Sequence, residues 1–144
     1  MAERETCTYS ALLNPTPLAD DRPLQLDDRT YHRHADEYLD SVAHHLEELG
    51  DEIELEGFDV LFANGVITLK LGSKGTFVLN KQPPNKQIWL SSPISGPMRF
   101  DLIEDNGRTQ WIYHRGNVKL TELLNKELTQ LLDRDVDVES NMDD

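Results

Sequence analysis

The chain has 144 residues and a formal net charge of −13, with 38% hydrophobic and 28% charged residues. This composition supports one folded domain with a modest core, and the strong negative charge argues against partners such as nucleic acid or anionic lipid surfaces. No apolar run approaches the length of a membrane span. The single cysteine, Cys7, excludes a disulfide framework and a Cys-based zinc or iron–sulfur site within one chain.

The two ends of the chain differ from the middle. Residues 1–26 hold three of the seven prolines and few large apolar residues, so we expect a flexible N-terminal arm. Residues 133–144 alternate acids with valines and then turn polar, which predicts an extended or disordered acidic tail. The domain is predicted over 27–132. Residues 1–10 resemble neither an Arg-rich presequence nor a secretory signal, so the protein is either cytosolic or has lost a targeting segment.

The first predicted element is a helix that begins between Asp27 and Thr30 and ends at Gly50, a residue typical of helix C-termini. Its apolar residues recur at spacings of three and four, which predicts a buried stripe made of Tyr31, Ala35, Tyr38, Leu39, Val42, Leu46 and Leu49. A second helix is predicted over Val118–Leu132, with its leucines on one face.

Strands are predicted between the helices, at Phe58–Ala63, Val66–Leu71, Thr76–Leu79, Gln87–Ser91, Met98–Ile103 and Thr109–His114. Asn64-Gly65 indicates a tight hairpin, and the other short turns favour antiparallel pairing. In the last strand either Trp111 and Tyr113 or Ile112 and His114 face the core. We therefore predict an α+β fold, a two-layer sandwich in which both terminal helices cover one face of a mainly antiparallel sheet of five to seven strands.

Negative charge is concentrated on the first helix. Residues 27–56 contain eleven acids and two arginines, a net charge of −9, whereas residues 57–132 contain six acids and nine bases, a net charge of +3. At about 100° per residue, one sector of the helix carries Asp36, Asp40, Glu47 and Asp51, flanked by Glu37 and Glu48. Such a charge run is often only a solvated face. However, no lysine four residues on compensates these acids, and clustered carboxylates favour hard cations such as iron, manganese, calcium or magnesium.

A metal site on this helix would be open, weak and partly hydrated, because the sequence contains no EF-hand loop and no His-Glu-x-x-His motif. His44 lies on the acidic side and offers a nitrogen ligand, although a lone exposed histidine is commonly an idle surface residue. A generic calcium- or manganese-binding domain is one alternative. No nucleophile–base arrangement and no phosphate-binding loop is recognisable.

Strand alternation also predicts a polar surface on the sheet. Ile88 and Leu90 share one face, which places Trp89 on the other among amide side chains. If the aliphatic residues face the helices, an exposed tryptophan ringed by polar groups resembles an interface anchor. The alternative is a tryptophan packed against a neighbouring strand or loop. The patch is mildly basic because of Lys81, Lys86 and Arg99.

The segment Gly75–Arg99 is the most distinctive in the sequence. Its motifs resemble the signature of the frataxin family, in Asn80-Lys81-Gln82, Pro84-Asn85-Lys86-Gln87-Ile88-Trp89-Leu90-Ser91-Ser92-Pro93 and Ser95-Gly96-Pro97 followed by Arg99. The first helix resembles the family in Tyr31, Asp36-Glu37, Leu39-Asp40-Ser41 and Glu47-Glu48-Leu49. The resemblance covers about residues 26–132. It implies the same helix–sheet–helix sandwich that the periodicity predicts.

The resemblance implies a mitochondrial matrix protein, its presequence removed, that assists iron–sulfur cluster assembly without holding the cluster. It implies weak surface binding of Fe(II) and Fe(III) at positions Asp36, Glu37, Asp40, Glu47, Glu48, Asp51, Glu52 and Glu54. Family members bind cysteine desulfurase, its accessory subunits and the scaffold protein, and they stimulate sulfur transfer onto the scaffold. The matching contact residues are Asn80, Gln82, Asn85, Gln87, Trp89 and Arg99, to which the basic patch adds Lys81.

The family is also credited with ferroxidase activity, the oxidation of Fe(II) to Fe(III) by oxygen. Nothing in the sequence resembles a buried di-iron site, which needs Glu and Glu-x-x-His ligands from several facing helices. We therefore rank ferroxidation or iron storage on the acidic face below the role of adaptor and activator. The expected state is a monomer that can form oligomers with iron.

Overall fold

A computed structural model describes residues 23–138 of the chain. The first helix, α1, spans Asp28–Glu52 and begins where the Asp27 side chain accepts a 2.7 Å hydrogen bond from the backbone N–H of Thr30. The predicted apolar stripe is buried along its whole length, which confirms the helix and its inward face. Within residues 23–138, neither helix is long and apolar enough to cross a membrane.

The prediction that α1 ends at Gly50 is wrong, since the helix continues for two more residues. A Cβ atom at Gly50 would lie 2.5 Å from Cε1 and 3.1 Å from Cδ1 of Phe58. An aromatic ring therefore packs against the helix backbone here, and any side chain at this position would require that ring to move. The helix ends at Glu52 and is capped by Ile53, whose backbone N–H donates to the carbonyl of Leu49.

Within residues 23–138, seven strands form one antiparallel sheet in chain order. They are β1 (Phe58–Ala63), β2 (Val66–Leu71), β3 (Thr76–Gln82), β4 (Gln87–Ser92), β5 (Gly96–Asp105), β6 (Arg108–Tyr113) and β7 (Val118–Lys119). The β1–β2 turn has φ values of 56° at Asn64 and 75° at Gly65, the left-handed pair that a two-residue hairpin of this kind requires. The second helix, α2, spans Leu120–Leu132. It begins two residues later than predicted, because the residues before it pair with β6.

Both helices pack on the same face of the sheet, as predicted. Ile88 and Leu90 of β4 are buried in the core that these helices cover. In β6, Trp111 belongs to this core, and its ring lies edge-on to that of Tyr31 with the centroids 6.3 Å apart. Ile112 therefore points to the opposite face, which settles the alternative that the sequence left open.

The core also includes residues on both sides of the predicted interval 27–132. Before α1, Leu24 and Leu26 pack against it, and the backbone N–H of Leu24 donates to the carbonyl of Leu102. After α2, Val138 is 1% exposed, and its backbone N–H donates to the Asn125 side chain at 2.8 Å. Residues 1–22 and 139–144 lie outside the described range, so the flexible arm and disordered tail expected there stay predictions.

Two buried side chains fix the turns at the ends of β4. The hydroxyl of Tyr31 donates to the carbonyl of Gln87 at 2.7 Å and accepts from the backbone N–H of Gln82 at 2.9 Å. At the other end, the Ser92 hydroxyl donates to the carboxylate of Glu127 at 2.5 Å and accepts from two backbone N–H groups of the following turn. Both helices therefore hold β4, the central strand of the polar sheet face, in place.

We expect Gly50→Ala to destabilise the fold, although alanine favours a helix by about 1 kcal/mol over glycine. The added methyl group would force the Phe58 ring to move, and overpacking of this kind costs about 1–3 kcal/mol. The free energy of unfolding, measured by chemical denaturation, should fall. In a Phe58→Leu background, Gly50→Ala should leave the free energy of unfolding unchanged or raise it. An equal fall in the free energy of unfolding in both backgrounds would contradict the account.

Candidate functional site

The predicted metal ligands form an exposed strip along α1 and the segment after it, which we call the acidic ridge. All nine side chains are exposed: Asp36, Glu37, Asp40, His44, Glu47, Glu48, Asp51, Glu52 and Glu54. Within residues 23–138, no group of three or more His, Cys, Asp or Glu side chains converges closely enough to hold a metal ion. The ridge is therefore a row of dispersed carboxylates, and a bound cation would have to draw them together or keep much of its water.

Some ridge side chains contact another ionisable side chain. His44 lies 3.2 Å from Glu48 on the same helix, and Arg134 lies 2.8 Å from Glu52. These pairs are exposed, so each contributes at most about 1 kcal/mol. Among residues 23–138, no ion pair involves the remaining carboxylates Glu37, Asp40, Glu47, Asp51 and Glu54, while Asp36 pairs with a lysine of the sheet.

Lys81 does not share a sheet face with the rest of its predicted patch. Asn80 and Gln82 point away from the helices, whereas Lys81 lies opposite the buried Ile88 and points towards them. Its ammonium nitrogen is 2.7 Å from the Asp36 carboxylate, and its side chain is only 15% exposed. The structure therefore places Lys81 at the border of the acidic ridge, because strand alternation separates neighbours in sequence.

The other predicted contact residues come together on the helix-free face of the sheet. Strand pairing puts Asn80, Trp89 and Arg99 side by side in one row across β3, β4 and β5, and it puts Gln82 beside Gln87 in the next row. We call these five residues the sheet surface. Asn85 is exposed in the short helical turn Pro83–Asn85 that joins β3 to β4.

Trp89 is partly exposed at the middle of the sheet surface. Its indole N–H donates to the side-chain oxygen of Gln87 at 2.7 Å. The Arg99 guanidinium carbon lies 4.8 Å from the ring centroid, a cation–π contact of the kind that contributes about 0.5–1 kcal/mol at exposed sites. The tryptophan is thus held by polar neighbours on the helix-free face with part of its surface exposed, which matches the geometry of an interface anchor.

The pKa shifts in this region occur at the N-terminal half of α1. Hydrogen bonds from Thr30 lower the pKa of Asp27, and burial raises the pKa of Tyr31. Burial also lowers the pKa of His34, the neighbouring Arg33 lowers it further, and Glu37 opposes both effects. His34 lines a polar groove between the start of α1, β6 and the start of α2.

A family model for the frataxin-like domain matches residues 24–134. The chain belongs to the frataxin family. It is 42% identical over 127 residues to the mitochondrial frataxin of Arabidopsis thaliana, covering 88% of this chain and 67% of that protein. It is 46% identical over 111 residues to the mitochondrial frataxin homolog of Saccharomyces cerevisiae, covering 77% of this chain and 62% of the yeast protein.

Solved frataxin structures share the fold. A crystal structure of trimeric yeast frataxin complexed with ferrous iron matches with a TM-score of 0.59 and 40% identity, covering 80% of this chain and 94% of that one. The family membership and the sandwich fold predicted from the sequence are therefore confirmed. Which residues bind iron or partners in this frataxin stays a prediction.

Asp101 is a member of the polar face that the sequence reasoning missed. It lies opposite Gln87 in the strand pairing, and the Gln87 amide nitrogen donates to its carboxylate at 3.0 Å. The signal was present, because alternation along the predicted fifth strand puts Arg99 and Asp101 on the same face. Asp101 was overlooked because the motif used to find the surface stops at Arg99.

We expect His34→Asn to reduce the loss of stability on acidification. The folded-state pKa of His34 lies below the usual 6.5, so the unfolded chain takes up this proton more readily. The stability contributed by neutral His34 is present above about pH 6.5 and is lost as pH falls towards the folded-state value. Denaturation midpoints of both proteins at about pH 7.5 and pH 5 check this. An equal fall of the denaturation midpoint between these two pH values in both proteins would contradict this prediction.

Proposed function

We propose that this frataxin is an adaptor and activator of iron–sulfur cluster assembly. It binds the complex of cysteine desulfurase with its accessory subunits and scaffold protein, and it stimulates sulfur transfer onto the scaffold. The observation that carries the proposal is Trp89, partly exposed on the helix-free face and fixed between Gln87 and Arg99. It acts as the anchor of the contact.

The composition of the sheet surface supports this role. Aromatic and arginine side chains dominate the binding energy of protein interfaces, particularly where the anchor is rigid before binding. The amides of Asn80 and Gln82 stand beside Trp89 and Gln87 and can each donate and accept hydrogen bonds. A partner with exposed backbone or side-chain polar groups would satisfy them.

The acidic ridge supports a second contribution to the same function. Residues 27–56, the segment that carries the ridge, have a net charge of −9, which attracts basic protein surfaces and cations. We propose that the ridge binds Fe(II) weakly and presents it to the assembly complex or responds to its presence. Iron is then a cargo held at the surface, and the cluster is formed on the scaffold.

The names of the relatives support a location. The frataxins of Arabidopsis thaliana, Saccharomyces cerevisiae and Drosophila melanogaster are named mitochondrial, and we propose the mitochondrial matrix for this chain. The yeast relative has been solved as a trimer with ferrous iron. We propose that this frataxin acts as a monomer in the complex and forms oligomers when iron is bound.

Trp89→Ala is expected to abolish most of the stimulation of a desulfurase–scaffold complex, measured as cysteine-dependent sulfide production at limiting protein. Loss of an anchor residue costs about 2 kcal/mol or more of binding energy, which raises the half-maximal concentration by more than about tenfold. The fold should stay intact, because Trp89 lies outside the buried core.

Phe62→Ala is the matched control for this experiment. It also truncates an exposed aromatic ring, 37% accessible on β1, away from the sheet surface. Full stimulation by Phe62→Ala and loss of most of the stimulation by Trp89→Ala, both at limiting protein, is the expected result. Equal, full stimulation by both variants would show that the sheet surface is not the contact.

The second candidate function is a ferroxidase or iron-storage chaperone that acts through the acidic ridge. It is favoured by the row Asp40, Glu47 and Asp51, which has no ion pair among the described residues 23–138, and by the solved ferrous complex of the yeast relative. It is less favoured than the adaptor role because the described residues contain no converged ligand cluster. Exposed, dispersed carboxylates bind hard cations weakly and with little selectivity.

Replacing the row by Asp40→Asn, Glu47→Gln and Asp51→Asn is expected to lower Fe(II) binding and oxygen-dependent Fe(II) oxidation. The same change should raise the free energy of unfolding by a few tenths of a kcal/mol for each like-charge pair removed, such as Glu47 with Asp51. Anaerobic calorimetric titration with Fe(II), oxygen consumption and denaturation measure the three quantities.

The control removes three exposed acids elsewhere, in Asp59→Asn, Glu104→Gln and Asp135→Asn. It makes the same change in net charge and should leave Fe(II) binding close to wild type. Unchanged binding in the ridge variant would exclude the ridge as the iron site. If calcium or manganese bound the ridge as tightly as Fe(II) and displaced it, the result would instead favour a generic metal-binding domain.

A further inference from the structure

A chain of polar side chains crosses the helix-free face from β4 to His114, the residue that follows β6. Gln87 and Trp89 point out of β4 two residues apart, and Asp101 lies opposite Gln87 on β5. The indole N–H of Trp89 donates to Gln87 Oε1 at 2.7 Å, and Gln87 Nε2 donates to Asp101 Oδ1 at 3.0 Å. The other carboxylate oxygen of Asp101 lies 3.6 Å from His114 Nε2 on the far side.

The chemistry of the two ends fixes the direction of this chain. An indole nitrogen can only donate a hydrogen bond, and an ionised carboxylate can only accept. The amide of Gln87 between them has one end of each kind. Only one orientation satisfies both neighbours, with the oxygen towards Trp89 and the nitrogen towards Asp101. The opposite orientation would face donor against donor and acceptor against acceptor.

Asp101 therefore determines which way the Gln87 amide points, and the amide determines where the indole N–H is held. Arg99 contacts the Trp89 ring from the same strand that carries Asp101. The ring is thus restrained in its plane by the hydrogen-bonded chain and at its face by the guanidinium. A side chain restrained in this way before binding loses less conformational entropy on binding.

We propose that Asp101 is a positioning residue for Trp89 that acts through Gln87 and pre-organises the anchor of the sheet surface. Its role in partner binding rests on the proposed function, whereas its effect on Trp89 in the free protein does not. Without Asp101 the Gln87 amide can flip and the indole N–H loses its fixed acceptor. Binding then has to order these two side chains, which weakens affinity by roughly 3- to 10-fold.

The first test is made on the free protein. The indole N–H resonances report Trp89, with Trp111 in the core on the opposite face as an internal control. Asp101→Leu removes the acceptor at similar size and should shift the Trp89 indole resonance and speed its hydrogen exchange several-fold. Asp101→Asn keeps an acceptor oxygen and should retain most of the wild-type signature. Asp59 is an exposed acid on the helix-free face of β1, so Asp59→Leu should leave the Trp89 indole resonance unchanged.

The outcomes separate the hypotheses. An unchanged Trp89 resonance in Asp101→Leu, with the protein folded, would overturn the positioning role. An Asp101→Asn protein as perturbed as Asp101→Leu would assign the effect to charge and also overturn it. Gln87→Met serves as a second variant should Asp101→Leu not fold, and it should release Trp89 in the same way.

The second test measures affinity for the desulfurase–scaffold complex. Asp101→Leu and Gln87→Met should each weaken binding by roughly 3- to 10-fold, and the double variant should be no weaker than either single one, because both act through the same chain. Additive losses, or a released Trp89 with unchanged affinity, would overturn the role of positioning in binding. If the wild type does not bind the complex, the proposed function fails while the resonance test of Trp89 still stands.

Discussion

The pairing of β3, β4 and β5 is the constraint on which both the core and the candidate site depend. Because side chains alternate along a strand, the register that buries Ile88 and Leu90 under the helices also places Trp89 on the opposite face. A slip of one residue would exchange the two sets. The packing of the apolar core therefore determines which residues form the sheet surface. The buried hydroxyls of Tyr31 and Ser92 hold β4 at its two ends.

Charge divides the molecule along a different line. The acidic ridge lies on the helix layer and the sheet surface lies on the opposite side of the sheet. The two surfaces are therefore free to contact different ligands at the same time. The two surfaces are linked at β3. Asn80 and Gln82 of this strand belong to the sheet surface, and Lys81 between them forms an ion pair with Asp36 of the ridge. Cations bound on the ridge would compete with Lys81 for that carboxylate. The field of the exposed ridge is screened beyond about 8 Å at physiological salt, so it acts mainly on surfaces already close to it.

Periodicity was sufficient to predict what depends on local pattern. The stripe of α1, the Asn64-Gly65 hairpin and the inward face of β4 all follow from residues close in sequence. What could not be predicted depends on contacts across the fold. Gly50 resembled a helix stop because the packing of Phe58 against it is not visible in the pattern. Alternation with Arg99 already places Asp101 on the polar face, but its hydrogen bond to Gln87 depends on the pairing of β4 with β5. Lys81 was misplaced because the predicted third strand ended at Leu79, so its alternation did not extend to Lys81.

The most direct test of the central claim is to map the surface that the desulfurase–scaffold complex covers. Backbone amide resonances of the isotope-labelled frataxin, followed during titration with the unlabelled complex, report each face separately. The account predicts that signals of Asn80, Trp89 and Arg99 change first and most, with smaller changes along α1. Changes confined to α1 and the acidic ridge, with β3, β4 and β5 unaffected, would contradict it.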